Sequence, residues 1–307
     1  MRVLNFGSMN IDCVYQMDHF IQPGETYAST SLNRLCGGKG LNQSIGLAQA
    51  GMPVFHACKV GADGDFLVEK LKEKGVDTRY IAPGEGSSGH AIIQVTPDGQ
   101  NAIILFGGTN QQMDRAYIDQ VLAEFSTGDV LVLQNELNLT GYMIEKASAR
   151  GMLVAFNAAP FTDSVESYPL EKLTWLVVNE VEGAQLAQCD KPEEILERLH
   201  HRYPQVNLLL TLGKQGCLYC DRSGEITKGR SISVKAVDTT AAGDTHFSYF
   251  LRAILDGSSP QEALNLAAVA SGIAVTRPGA ADSVPAYSEV VQSPYFLQLQ
   301  EDHTHAD

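Results

Sequence analysis

Short apolar runs alternate with helix-period segments along nearly all of this 307-residue chain, and that alternation constrains its fold more than any other feature. The runs at 3–6, 54–60, 130–133, 153–156, 175–178 and 207–212 are mostly apolar without strict polar alternation, as strands covered on both faces are. Between them, 42–49, 65–73, 115–125, 142–149 and 193–202 repeat apolar residues at three- and four-residue spacing, which predicts amphipathic helices. Strands and helices in that order make βαβ units. The predicted class is therefore α/β, with a mainly parallel central sheet and helices on both faces. No Pro-, Gly- or Ser-rich linker and no fixed-period repeat divides the chain, so 1–307 reads as one domain.

One region breaks the pattern. Strand-like runs at 89–95 and 101–106 flank Thr96-Pro97-Asp98-Gly99, and Asp-Gly between such runs predicts a β-hairpin. A second strand-rich piece without helix periodicity covers 12–35. Together, segments of about 12–35 and 88–107 predict a small antiparallel β lid over the carboxyl ends of the main strands, where ligands bind in such sheets. The return strand at 102–106 is apolar on both faces. Either the main domain covers it twice, or two lids pack together in a homodimer; an open apolar edge favours the second.

Charge excludes one class of partner. The 22 basic and 36 acidic residues leave a formal charge of −14 with no Lys/Arg run, so a phosphate backbone would repel the chain and nucleic-acid binding is not expected. The longest near-continuous apolar stretch, 264–275, is too short to span a bilayer. Asn5 and Asp12 come too early for a signal-peptide apolar segment, and a cytoplasmic location with no membrane association is the expectation. Of six cysteines only Cys217 and Cys220 form a CxxC. No second pair completes a zinc site, and three residues apart on a strand they face opposite sides.

Two stretches carry chemistry. Val237-Asp238-Thr239-Thr240-Ala241-Ala242-Gly243-Asp244-Thr245 leads into Phe247, Phe250, Leu251, Ile254 and Leu255, the apolar stripe of a helix that stops at Gly257. Small residues thus stand at a helix amino terminus, where free N–H groups and the dipole favour an anion. Asp244 in the first turn is either a capping carboxylate or a working acid–base group. The second stretch, Gly37-Gly38-Lys39-Gly40-Leu41-Asn42, joins a strand to a helix and supplies donors from Lys39 and Asn42. It lacks the GxxxxGK[ST] spacing of a P-loop. Together the two suggest phosphoryl transfer to a polyol.

In this order, about 200 residues apart, the two stretches resemble the paired signatures of the PfkB carbohydrate kinase family, and most nearly its ribokinase branch. Further matching pieces are Gly7-Ser8-Met9-Asn10-Ile11-Asp12, Asn179-Glu180-Val181-Glu182, Thr211-Leu212-Gly213-Lys214-Gln215-Gly216 and Ala274-Val275-Thr276-Arg277-Pro278-Gly279-Ala280. The resemblance implies a ribokinase-like fold and ATP with Mg²⁺. It implies that Asn10, Asp12, Gly38, Lys39, Asn42, Glu136 and Asp244 bind the sugar. Asp244 would be the base, beside an anion hole from the N–H groups of Ala241, Ala242 and Gly243. Asn179, Thr211, Gly213, Gly216 and Gly243 would meet the nucleotide, and Asn179 and Glu182 would reach Mg²⁺ through water. A K⁺ activator would sit by Asp238, Thr240, Ala274, Arg277, Gly279 and Ser283, several through backbone carbonyls.

Two positions depart from the family pattern. His246 stands where Phe is usual, and reads as a core-facing or partly exposed histidine. Ala268 replaces a His or Asn beside the adenine, which puts one base contact in question. Ala241, where relatives carry glycine, is an accepted variant. The implied function is a kinase for the 5-hydroxyl of D-ribose; other pentoses, hexoses, deoxysugars and nucleosides are the alternatives. A catalytically silent sugar or nucleotide sensor of the same fold would be marked by loss of the base, and Asp244 is present.

Overall fold

The structure, a computed structural model, describes residues 1–304; 305–307 lie outside it. In chain order the strands are β1 (Val3–Phe6), β2 (Asn10–Gln16), β3 (Ser31–Gly37), β4 (Val54–Val60), β5 (Asp77–Pro83), β6 (Gly89–Val95), β7 (Asn101–Phe106), β8 (Val130–Gln134), β9 (Leu153–Asn157), β10 (Trp175–Asn179), β11 (Asn207–Thr211), β12 (Cys217–Cys220) and β13 (Ile226–Gly229). The helices are α1 (Lys39–Gln49), α2 (Asp65–Glu73), α3 (Arg115–Ala123), α4 (Thr140–Ala149), α5 (Glu180–Ala187), α6 (Pro192–Arg202), α7 (Ala242–Leu255), α8 (Pro260–Ala274), α9 (Tyr287–Gln292) and α10 (Pro294–Thr304).

The main sheet runs β13-β12-β11-β10-β9-β8-β1-β4-β5 and is parallel except at β11–β12 and β12–β13. Successive strand residues divide between two cores. Val3, Val130, Val132 and Leu209 pack with α1, α7 and α8, while Leu4, Leu131, Leu133 and Leu208 pack with α3, α4 and α6. Both faces are therefore apolar, which is why these strands lack polar alternation. Cys217 joins the first core and Cys220 the second, on opposite faces as their spacing requires. Burying each such Leu or Val stabilises the fold by roughly 1.5–3 kcal/mol. Parallel register brings Phe6, Leu133, Asn157, Asn179 and Thr211 to one edge, the carboxyl ends of the strands.

The second sheet runs β3-β2-β6-β7. Its outer pairs are antiparallel, and its central β2–β6 pair is parallel. The predicted hairpin matches β6 and β7 residue for residue. Asp12, Leu35, Ala91 and Leu105 stand in register on one face, and His90 and Phe106 on the other. Ile103, Ile104 (61% exposed), Leu105 and Phe106 (54% exposed) are all open, so the main domain does not cover the return strand. Helix α1 starts three residues before the predicted apolar period, because Gly38 supplies a left-handed φ of 96° from which Lys39 can begin the helix.

Candidate active site

Asp244 lies in the first turn of α7 and is only 6% exposed. The chain enters that helix through Ala241, whose φ of 60° is left-handed. For a residue with a Cβ this costs on the order of 1 kcal/mol, so the alanine is less neutral than the motif alone suggests. The Ala242 N–H reaches Thr239 O at 3.3 Å, the weak end of the hydrogen-bond range. No protein acceptor takes the N–H groups of Ala241 and Gly243 among the described residues. Nothing lies within 4 Å of where a Cβ on Gly243 would stand. The predicted anion hole thus has two free donors, one weakly engaged donor and clear access.

Helix α1 supplies the facing wall. A Cβ on Gly37 would fall 2.0 Å from Asp12 Oδ2, so any larger residue there would displace that carboxyl. Glu136, just beyond β8, accepts a short hydrogen bond from the Ser8 hydroxyl and another from the Lys39 N–H at 3.1 Å. Asn42 Nδ2 donates to Asp244 Oδ2 at 3.2 Å, and Gln43 Nε2 donates to Asp244 Oδ1 at 2.9 Å. Asn110 Nδ2 donates to Asn10 Oδ1 at 2.8 Å and fixes that side chain. A cavity of about 180 Å³ opens here, lined by Asn10, Asn110, Gln111, Glu136 and, from the lid, Leu105.

The charges are tightly grouped. Burial, then the charge of Glu136, pushes Asp12 up to about 7. Burial also raises Glu136, against the pull of Ser8 and Lys39, and raises Glu182 despite the Asn179 N–H. Burial works against the Lys39 ammonium, but Asp244, Glu136 and Glu182 outweigh it and hold its pKa above the ordinary value. One cation therefore serves three carboxylates, an arrangement with room for more positive charge or for hydroxyl donors.

At the positions expected to meet the nucleotide, Asn179 and Glu182 form a capping box at the start of α5. Asn179 Oδ1 accepts from the N–H groups of Val181 and Glu182, and Glu182 Oε2 accepts from the Asn179 N–H at 3.0 Å. The NxxE pair thus has a structural duty whatever else it does. Thr211 pairs with Asn179 across β10–β11, and Gly213 and Gly216 follow in the turn to β12. No three His, Cys, Asp or Glu side chains among the described residues converge to hold a metal. The donor set suits a magnesium ion already held by phosphates, met by Glu182 through water.

Of the candidate cation residues, Asp238, Thr240 and Gly279 are drawn together. Asp238 accepts from Thr240 N at 2.9 Å, from Thr240 Oγ1 at 2.6 Å and from Gly279 N at 3.0 Å. Burial raises its pKa, but those donors prevail and hold it below the usual carboxylate range. Arg277 turns its guanidinium to Glu289, Ser283 donates its hydroxyl to Ala280 O, and the Ala274 carbonyl accepts from Arg277 N at 3.1 Å.

His246 is buried with its Nε2 3.6 Å from Cys217 Sγ, and burial pushes it down to about 4. Two residues past Asp244, it faces the other side of α7 and packs as a neutral core group. Ala268 is buried on α8. Motif reading missed four residues: Ser8, Gln43, Asn110 and Gln134. Gln43 adjoins Asn42, Ser8 lies two residues before Asn10 and Gln134 two before Glu136, whereas Asn110 stands near no assigned position.

The family model described as pfkB family carbohydrate kinase matches residues 2–287. The chain belongs to that family. It is 30% identical over 296 residues to a ribokinase of Haemophilus influenzae, covering 93% of this chain and 96% of that protein. Among solved structures, the ribokinase of Cryptococcus neoformans in complex with ADP superposes with a TM-score of 0.83 at 32% identity, covering 94% of this chain and 98% of the other. The Arabidopsis thaliana ribokinase complexed with ribose and ATP superposes with a TM-score of 0.83 at 26% identity, covering 97% and 98%. No helix among the described residues is long and apolar enough to cross a membrane.

Proposed function

We propose that this chain moves the γ-phosphoryl group of ATP to the 5-hydroxyl of D-ribose, giving D-ribose 5-phosphate and ADP. The observation that carries this reading is a buried carboxylate, Asp244, beside unclaimed N–H groups at one helix end. Asn10, Asp12, Gly38, Lys39, Asn42 and Glu136 hold the other hydroxyls. Asp244 takes the proton of the attacking hydroxyl as the new P–O bond forms, while the N–H groups of Ala241, Ala242 and Gly243 hold the transferred phosphoryl oxygens. Asn179, Thr211, Gly213 and Gly216 line the nucleotide groove. Magnesium carried by ATP offsets phosphate charge, and Asn179 and Glu182 meet its water shell. The retained Asp244 supports an enzyme over a silent sensor, and similarity to proteins named ribokinase supports ribose over other acceptors.

The same reading includes K⁺ held by Asp238, Thr240 and the carbonyls of Ala274, Arg277, Gly279 and Ser283, which steadies the loop beside the anion hole. It takes 1–307 as one domain that works in the cytoplasm and pairs with a second copy through the exposed lid residues. A coupled ADP-release assay over pentoses, deoxyribose, hexoses and nucleosides, in K⁺, Na⁺ and a large organic cation, tests it. D-Ribose should give the highest kcat/KM, and K⁺ the highest rate. Equal rates in all three cations overturn the cation site, and no turnover of D-ribose overturns the substrate.

A further inference from the structure

We infer that Gln43 is a positioning residue for Asp244, and that a buried chain from Ser44 through Asn5 and Gln134 fixes which way its amide points. The inference rests on Asp244 being the base, as proposed above. Each member of the chain is buried. Asn5 Nδ2 donates to Gly40 O and to Ser44 Oγ, both at 2.8 Å. Gln134 Nε2 donates to Asn5 Oδ1 at 3.0 Å and to Gln43 Oε1 at 2.7 Å. Gln43 Nε2 then donates to Asp244 Oδ1 at 2.9 Å.

Chemistry fixes the direction. Gly40 O can only accept, so Asn5 turns its NH₂ there and its oxygen toward Gln134. Gln134 must therefore offer NH₂, which also meets Gln43 Oε1 and leaves Gln43 to offer NH₂ to Asp244. The Ser44 hydroxyl accepts from Asn5 and shares a hydrogen bond of 2.7 Å with His56 Nδ1. Burial pushes His56 down to about 3, so this end of the chain stays neutral over the working pH range. A one-way series of donors strengthens its last bond.

A carboxylate turns easily about its last torsion. Two donors stop it here, but in the proposed reading Asn42 also binds the sugar and would share its amide with substrate. Gln43 has no such second task. The two helices are also held close: a Cβ on Gly46 of α1 would meet Ser248 Oγ at 2.4 Å, and that hydroxyl donates to Asp244 O at 2.7 Å. Lys39, Glu136 and Glu182 are the charged groups that share the field of Asp244, and the variants below leave all three in place.

The test is Gln43→Met and Gln134→Met measured beside Asp244→Asn, with kcat, both KM values, pH–rate profiles and calorimetric D-ribose binding. Gln43→Met should lower kcat by about 10–100-fold, with KM values within about threefold, and move the acid limb to higher pH. Gln134→Met should move the same readouts less, in the same direction. If Gln43→Met fails to bind D-ribose, Gln134→Met decides by the same measures. Wild-type kcat and acid limb in a variant that binds D-ribose overturn the inference, as does a loss confined to KM. An inactive Asp244→Asn beside an unaffected Gln43→Met removes the inference alone, whereas an active Asp244→Asn removes the base itself.

Discussion

The two walls of the candidate site differ in how their polar and apolar groups are satisfied. Around Asp244 of α7, side-chain amides from β1, α1 and β8 are buried, three of them bonded in series, and the carboxylate is held at both oxygens. The lid opposite ends in β7, whose Ile103, Ile104, Leu105 and Phe106 are exposed on both faces of an edge strand. The bonds around Asp244 fix the amides that face the carboxylate, while Asn42 Oδ1 and Gln134 Oε1 have no partner among the described residues; a fixed base needs no reorganisation when the reaction starts. An uncovered apolar sheet is the opposite: it gains stability only when something closes on it, whether substrate-bound domain or second lid. Chemistry and access are thus assigned to different walls.

The largest expected effect breaks the chemical wall alone. Asp244→Asn should lower kcat by about 10²–10⁴-fold, the usual range for a general base, with D-ribose affinity little changed by calorimetry. Activity within about threefold of wild type would remove Asp244 from the mechanism. On the lid, Ile103→Glu and Ile104→Glu probe opposite faces of β7, because neighbouring strand residues alternate. At least one should convert a sedimenting dimer to monomer and raise the sugar KM several-fold with kcat nearly kept. A wild-type monomer at micromolar concentration would contradict the pairing.

Asp12 joins the two walls, and its effect is on pH dependence. Its carboxyl is pushed up to about 7 by burial and Glu136, so the folded state binds that proton more tightly than the unfolded chain does. The associated stability is present below the ordinary carboxylate value of 3.8 and is lost as pH rises toward 7. Denaturant unfolding of the ligand-free protein should therefore weaken from pH 5 to pH 8, and Asp12→Asn should flatten that decline. An unchanged slope would show that Asp12 titrates normally. The smallest effect is at Ala241. Ala241→Gly relieves a left-handed alanine and should add about 0.5 kcal/mol of stability; a loss would mean that loop entropy outweighs the strain.

Local signals were read well and long-range ones poorly. Asp98-Gly99 located the hairpin to the residue, because a two-strand turn is encoded where it forms. The parallel β2–β6 pairing was not legible, since it joins segments nearly eighty residues apart. In the site, Asp244, Gly38 and Asn42 carry their chemistry in short motifs. Gln134 and Asn110 do not: a buried glutamine or asparagine looks like a surface one until the fold brings its partner from another strand or loop. The capping box at Asn179 and Glu182 shows the converse, a motif whose first visible duty is to start a helix.

The most direct measurement compares D-ribose with 5-deoxy-D-ribose in the wild-type enzyme. D-Ribose should release ADP and yield a sugar whose phosphorus couples to the C5 protons by NMR. The 5-deoxy sugar should compete for the site without turnover. Phosphorylation of 5-deoxy-D-ribose, or phosphate found at another carbon of D-ribose, would contradict the assignment of Asp244 as base for the 5-hydroxyl.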